Sequence, residues 1–199
     1  MKKHFFLLTV LAALLLAGCG KYPDTADDGT VWDENWEMMG RVLGVEEPGN
    51  GLVLLENNSI LTGDDTYYAT WAVGEPADYV NADGEETDLY EAQLYLLLYG
   101  CSDEEAAEAA MSEFIGMEEK SYNVSQRRTE THKGQEYEIL VYECVSDTNP
   151  FARGASAFGM YKNYVISAEF TCLESYSGDV EQVLVDFLEG CHYSSQLLK

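Results

Sequence analysis

The chain has 199 residues, with 36 acidic side chains against 11 Lys and Arg, and a formal net charge of −25. Such a charge repels nucleic acid and anionic lipid head groups, so nucleic-acid binding is excluded, while solubility and loose cation association are favoured. The length suffices for one domain with a substantial core, and nothing along it points to a second.

At the start of the chain, Lys2 and Lys3 are positive, Phe5 to Leu16 carries no charge, and Ala17, Gly18 and Cys19 close the run. This is the three-part layout of a secretory signal. The apolar run is too short to span a bilayer, which takes ~20 residues. Its last four residues, Leu16-Ala17-Gly18-Cys19, resemble the lipobox of bacterial lipoproteins. The resemblance implies cleavage before Cys19, a diacylglyceryl group on its thiol, and palmitate-type chains holding the protein to the cell membrane, facing outside the cytoplasm. Two or three chains make a stable anchor where one is marginal, because each buried methylene contributes about 0.8 kcal/mol. Without residues 1–18 the chain keeps nine Lys and Arg against 36 acids. Residues 19–31, short, acidic and rich in turn formers, are expected to be a flexible tether. Residues 32–199 then form a single α+β extracytoplasmic domain.

That domain opens with "WDENWEMMGRVLG", whose Trp32, Trp36, Met39 and Leu43 fall on one helical stripe, with Asp33 and Gly44 as caps. From Gly51 to Gly74, "LVLLE", "SILT" and "TYYATWAV" are strands separated by turn residues. The stretch "EETDLYEAQLYLLLYG", residues 85–100, is apolar on most of its circumference and predicts a helix buried on more than one side. Ser102 with Glu105 forms a capping box for the next helix, whose inner face carries Ala107, Ala110, Met111 and Phe114.

Residues 122–173 are the most strand-like part. Two strands turn at Lys133-Gly134 and two more at Lys162-Asn163, an antiparallel arrangement. In the last strand Tyr164, Ile166, Ala168, Phe170 and Cys172 alternate with Ser167, Glu169 and Thr171, which predicts one buried face. Asp179 with Gln182 opens a final helix with Val180, Val183, Leu184, Phe187, Leu188 and Cys191 in one stripe. A sheet with a buried face and a helix with a buried stripe are natural partners. The fold class is therefore α+β, an antiparallel sheet packed against amphipathic helices. Over roughly residues 50–193 this element order resembles the PsbP extrinsic subunit of photosystem II and its relatives. That resemblance implies an α/β sandwich serving as an accessory binding scaffold, and it carries over no functional residue. The chain also resembles uncharacterised lipoproteins of similar length.

Four cysteines follow Cys19, and an even number in an exported chain permits two disulfides or four small buried hydrophobes. Cys172 and Cys191, on the facing surfaces of the last strand and last helix, are the candidate disulfide. The cysteine spacings fit no zinc pattern, and neither "DTADDG" nor Asn81-Asp83-Gly84 carries the ligand alternation of a calcium loop, so no metal site or cofactor is expected. His132 and His192 flank no nucleophile motif, so no catalytic residue is assigned. Acids are so numerous that a pair such as Glu75 and Asp78 is a solvated surface before it is a dyad. Arg127, Arg128 and Lys133 form the one basic island, a candidate partner patch or a solvated edge that discourages aggregation. Tyr67, Ala69, Trp71 and Val73 share a strand face that reads as core before it reads as a glycan platform. The leading expectation is a non-enzymatic, membrane-anchored binding or accessory module whose partner is an envelope protein or glycan. The alternative is a carboxylate-based extracytoplasmic hydrolase acting on carbohydrate or envelope material. Two buried carboxyls converging on a cleft would favour the alternative.

Overall fold

In a computed structural model of the chain, the residues described are 43–45, 49–55, 60–61, 66–81, 84–145 and 149–193. The lipobox, the tether and most of the first expected helix lie outside them. The end of that helix is corrected: Leu43–Val45 is a strand, β1, paired antiparallel with Cys191–Tyr193.

The main sheet has eight strands, all paired antiparallel. Its strands are β2 (Val53–Leu54), β3 (Ile60–Leu61), β4 (Thr66–Val73), β7 (Ala92–Gly100), β8 (Asn123–His132), β9 (Gln135–Glu143), β10 (Arg153–Tyr161) and β11 (Tyr164–Cys172). Their order is β2-β4-β7-β11-β10-β9-β8, with β3 also on β4. A separate ribbon joins β5 (Ala77–Val80) to β6 (Glu86–Leu89), and β12 (Cys191–Tyr193) pairs with β1. Among the described residues there are two helices, α1 (Glu104–Ser121) and α2 (Val180–Glu189). An α+β fold built on an antiparallel sheet is thus what the chain adopts.

The turns fall where the sequence puts them. Lys133 and Gly134 both have positive φ, 51° and 81°, the conformation a two-residue hairpin loop needs to match the twist of its strands. Lys162, at 54°, opens the second tight hairpin, with Tyr161 opposite Tyr164.

Residues 85–100 are a correction. They are not a helix: β6 ends at Leu89, and "AQLYLLLYG" is the strand β7 between β4 and β11. A central strand covered on both faces is apolar at nearly every position, and such a run cannot be told from a buried helix by periodicity alone. Ala92, Leu94, Leu96 and Leu98 face one core, and Leu97 and Tyr99 the other.

The two cores lie on opposite sides of the sheet. The larger buries Phe170, Leu94, Ile139 and their neighbours against Val180, Val183, Leu184, Phe187 and Leu188 of α2. Asp179 caps that helix by accepting from the N–H groups of Glu181 and Gln182. Cys191 lies beyond the helix, in β12, and is buried in the same core. Trp71 meets Phe187 edge to face at 5.3 Å, so the aromatic face of β4 reaches the core through Trp71 rather than solvent. The smaller core joins Ala107, Ala110, Phe114 and Ile115 of α1 to Tyr99, Leu140, Phe158 and Val165. The N-cap of α1 is Asp103, which accepts from the Ala106 N–H at 2.9 Å, one residue later than the expected Ser102. Ser102 instead donates its hydroxyl to Asp103.

Candidate functional site

Because α1 covers the second face, the odd-numbered positions of β11 are not solvent-facing as expected. Thr171 and Val165 are buried, and Glu169 is half-buried beneath the C-terminal end of α1. Register aligns Glu169 with Tyr95 of β7 and Ser156 of β10. On the next strand, β9, Tyr142 lies opposite Gly154. A Cβ on Gly154 would stand 2.8 Å from the Tyr142 ring and 2.7 Å from the Phe170 carbonyl oxygen. The tyrosine therefore lies flat on the sheet over the glycine, which extends its hydroxyl to Glu169.

At this point two carboxyls meet. The Tyr142 hydroxyl donates to Glu169 Oε1 at 2.7 Å, and the Tyr122 hydroxyl donates to the same oxygen at 3.3 Å. Ser156 Oγ lies 3.1 Å from Glu118 Oε1 and 3.2 Å from the Tyr142 hydroxyl oxygen. Tyr122 stacks on Tyr142, their centroids 4.2 Å apart and planes 3° from parallel. Glu118 is in the last turn of α1, and Tyr122 is the residue that caps it, so the network joins helix to sheet.

The electrostatics follow from this crowding. Burial, then the Glu169 charge, push Glu118 well above the usual carboxylate range. Burial also raises Glu169, while hydrogen bonds from Tyr142 and Tyr122 hold it back. Both tyrosines are raised, first by burial and then by the two acids. The Cys144 thiol is pushed up to about 12 by burial and the same acids, which leaves it a poor nucleophile. Glu118 and Glu169 are both half-buried as whole residues.

None of these residues was singled out as a site from the sequence. The signal that could have found Glu169 was the apolar stripe of α1, Ala107, Ala110 and Phe114, which needs a surface to cover and has the second face of the sheet available.

The residues that were singled out lie elsewhere. Arg127 pairs with Glu119 at 2.8 Å and Glu138 at 3.0 Å, and Arg128 pairs with Glu130 and, at 3.0 Å, with Glu181 of α2. The two arginines are thus bound to the protein's own acids, while Lys133 stands exposed at the hairpin turn. His132 is a buried strand end, its ring nitrogens 2.8 Å from Glu189 and 3.1 Å from Glu130. Glu75 and Asp78 are exposed. Asn81 closes the β5-β6 turn by accepting from the Glu85 N–H. Cys172 and Cys191 share the α2-side core, and all four cysteines from Cys101 onward carry free thiols here. Among the described residues, no group of three or more His, Cys, Asp or Glu is placed to hold a metal ion, and no helix is long and apolar enough to cross a membrane.

No family model matches the chain, and no curated protein matches it. Among solved structures it is similar to the solution structure of cyanobacterial PsbP (CyanoP) from Synechocystis sp. PCC 6803. The likeness has 12% identity and a TM-score of 0.40, covering 74% of this chain and 96% of that one.

Proposed function

We propose that the chain is a bacterial lipoprotein, acylated at Cys19 and tethered through residues 19–31, whose folded part is a non-enzymatic binding or accessory module at the cell envelope. Its sheet between two helices is read as a variant of the PsbP-like α/β sandwich, on the strength of element order. The observation that carries the non-enzymatic reading is the hydrogen bonding of the acid pair. The two carboxyls raised above their ordinary range are bonded to Ser156, Tyr142 and Tyr122 of the same chain. A general acid and base need a lone pair or proton aimed at substrate. Here one oxygen of each, Glu118 Oε1 and Glu169 Oε1, is turned inward, clasping α1 to β9, β10 and β11.

One observation favours the hydrolase reading: both carboxyls are raised, and both belong to half-buried residues. The two readings separate by experiment. Hydrolysis of envelope glycans by the purified protein, abolished in Glu118→Gln and Glu169→Gln, would establish the enzyme; no turnover with either variant or the parent supports the accessory module. The anchor is tested by intact mass of the native product, with and without reduction. Lipid mass at an N-terminal Cys19 is expected, and a released Cys19→Ser form; an unmodified processed terminus would overturn the placement. The same measurement reads whether Cys172 and Cys191 are joined.

A further inference from the structure

We propose that Glu118, Ser156, Tyr142 and Glu169 form a single proton-binding site, with the proton resident on Glu118, and that its loss releases the last turn of α1 from the sheet. The assignment comes from counting hydroxyl protons. Tyr142 has one, and it is directed to Glu169 at 2.7 Å. The 3.2 Å approach of Ser156 to the Tyr142 oxygen therefore needs the serine as donor. With its only proton used there, Ser156 can meet Glu118 at 3.1 Å only as an acceptor, so Glu118 must supply the O–H. The opposite choice, serine donating to an ionised Glu118, either needs a neutral Glu169 to donate to Tyr142 through the oxygen that already accepts from Tyr122, or leaves the Ser156 and Tyr142 oxygens facing each other with no proton between them. Ser156 is fully buried, so water cannot mend that contact.

The surroundings point the same way. The titratable groups facing the pair are Tyr142 and Cys144 from the β9 side, Tyr95 opposite Glu169 on β7, and Tyr122 at the end of α1. Each of these gains only negative charge as pH rises, and none is a cation. A second ionised carboxylate would therefore sit beside the first without a counter-charge. Burial and the Glu169 charge accordingly hold Glu118 in its neutral form above the usual range.

The link to α1 is local. Glu118 carries the carbonyl that accepts the Tyr122 N–H at 2.9 Å, and Tyr122 also reaches Glu169. Ionising Glu118 costs the network one hydrogen bond, because the single Ser156 proton then serves either Glu118 or Tyr142 but not both, and it sets Glu118 against Glu169 at the point where the helix end is fastened. The sign is fixed by linkage. A carboxyl raised in the folded state contributes stability that is fully present below its unfolded value, near ~4.3. That contribution is lost as pH rises through its folded value.

The test uses the full chain. Infrared spectra of the wild type near neutral pH should contain a neutral carboxylic-acid carbonyl band, and Glu118→Gln should lose it. Amide exchange at Tyr122, corrected for the intrinsic rate, should rise about tenfold per pH unit between the two Glu118 values in the wild type. It should be flat in Glu118→Gln, whose amide N–H stands where the acid proton was. Absence of the neutral band from the wild type overturns the proposal without any variant. So does a Glu118→Gln protein whose Tyr122 exchange follows pH as the parent does.

Discussion

The two faces of the main sheet bury different chemistry. Toward α2 the sheet offers Leu94, Leu96, Leu98, Phe170 and Ala168, all fully buried and apolar. Toward α1 an apolar strip gives way, at the helix end, to Ser156, Tyr142, Glu169 and Glu118. Apolar burial contributes roughly in proportion to area, about 25 cal/mol per Å², and is indifferent to direction. A buried polar network contributes only when every donor finds its acceptor, and half-made it is worse than none. The α2 face therefore carries stability, while the α1 face fixes the angle and height of a helix and makes that fixing depend on protons. The pattern explains why the more perturbed acids lie where the sheet is less greasy.

The contrast can be broken most forcefully on the α2 side. Phe187 is fully buried and packs edge to face on Trp71. Phe187→Ala should cost about 3–5 kcal/mol, read by denaturant unfolding, with no change in how stability depends on pH. Gly154→Ala sharpens the comparison from the α1 side. Its new methyl would press on the Tyr142 ring and the Phe170 backbone. A loss of about 1–3 kcal/mol is expected, together with a change in the tyrosine ultraviolet signal as the stack with Tyr122 opens. A spectrum identical to the parent's would show that the ring does not depend on the glycine. The smallest effect belongs to the basic island. Replacing Arg127 and Lys133 by Ser, which leaves the half-buried Arg128 pairs in place, should change stability by about 0–1 kcal/mol, and raised salt should reduce the difference further.

Much of the fold was legible where local rules act alone. Lys133-Gly134 and Lys162-Asn163 announced hairpins because tight turns demand residues that tolerate positive φ. Asp179 announced α2 because a short acceptor side chain must meet the first free N–H groups. What was illegible depended on what lies across the sheet. The run "AQLYLLLYG" looked helical because a strand buried on both sides loses its alternation, and only the neighbours β4 and β11 reveal which it is. Glu169 looked solvent-exposed because its strand mates Ser167 and Thr171 are polar, yet α1 folds back over them. The acid pair was hidden for a further reason: its partners Glu118, Tyr142, Ser156 and Glu169 come from four separate elements, and no spacing along the chain encodes their meeting.

The short β1–β12 ribbon bears on mechanics. Because Leu43 pairs with Tyr193 and Val45 with Cys191, the first described strand is fastened to the last. Tension entering from residues before 43 would reach this three-residue clip before it reached any strand of the eight-stranded sheet. A pull on that end should peel a small seam first, touching the α2-side core only at Cys191, so the ribbon would act as a fuse.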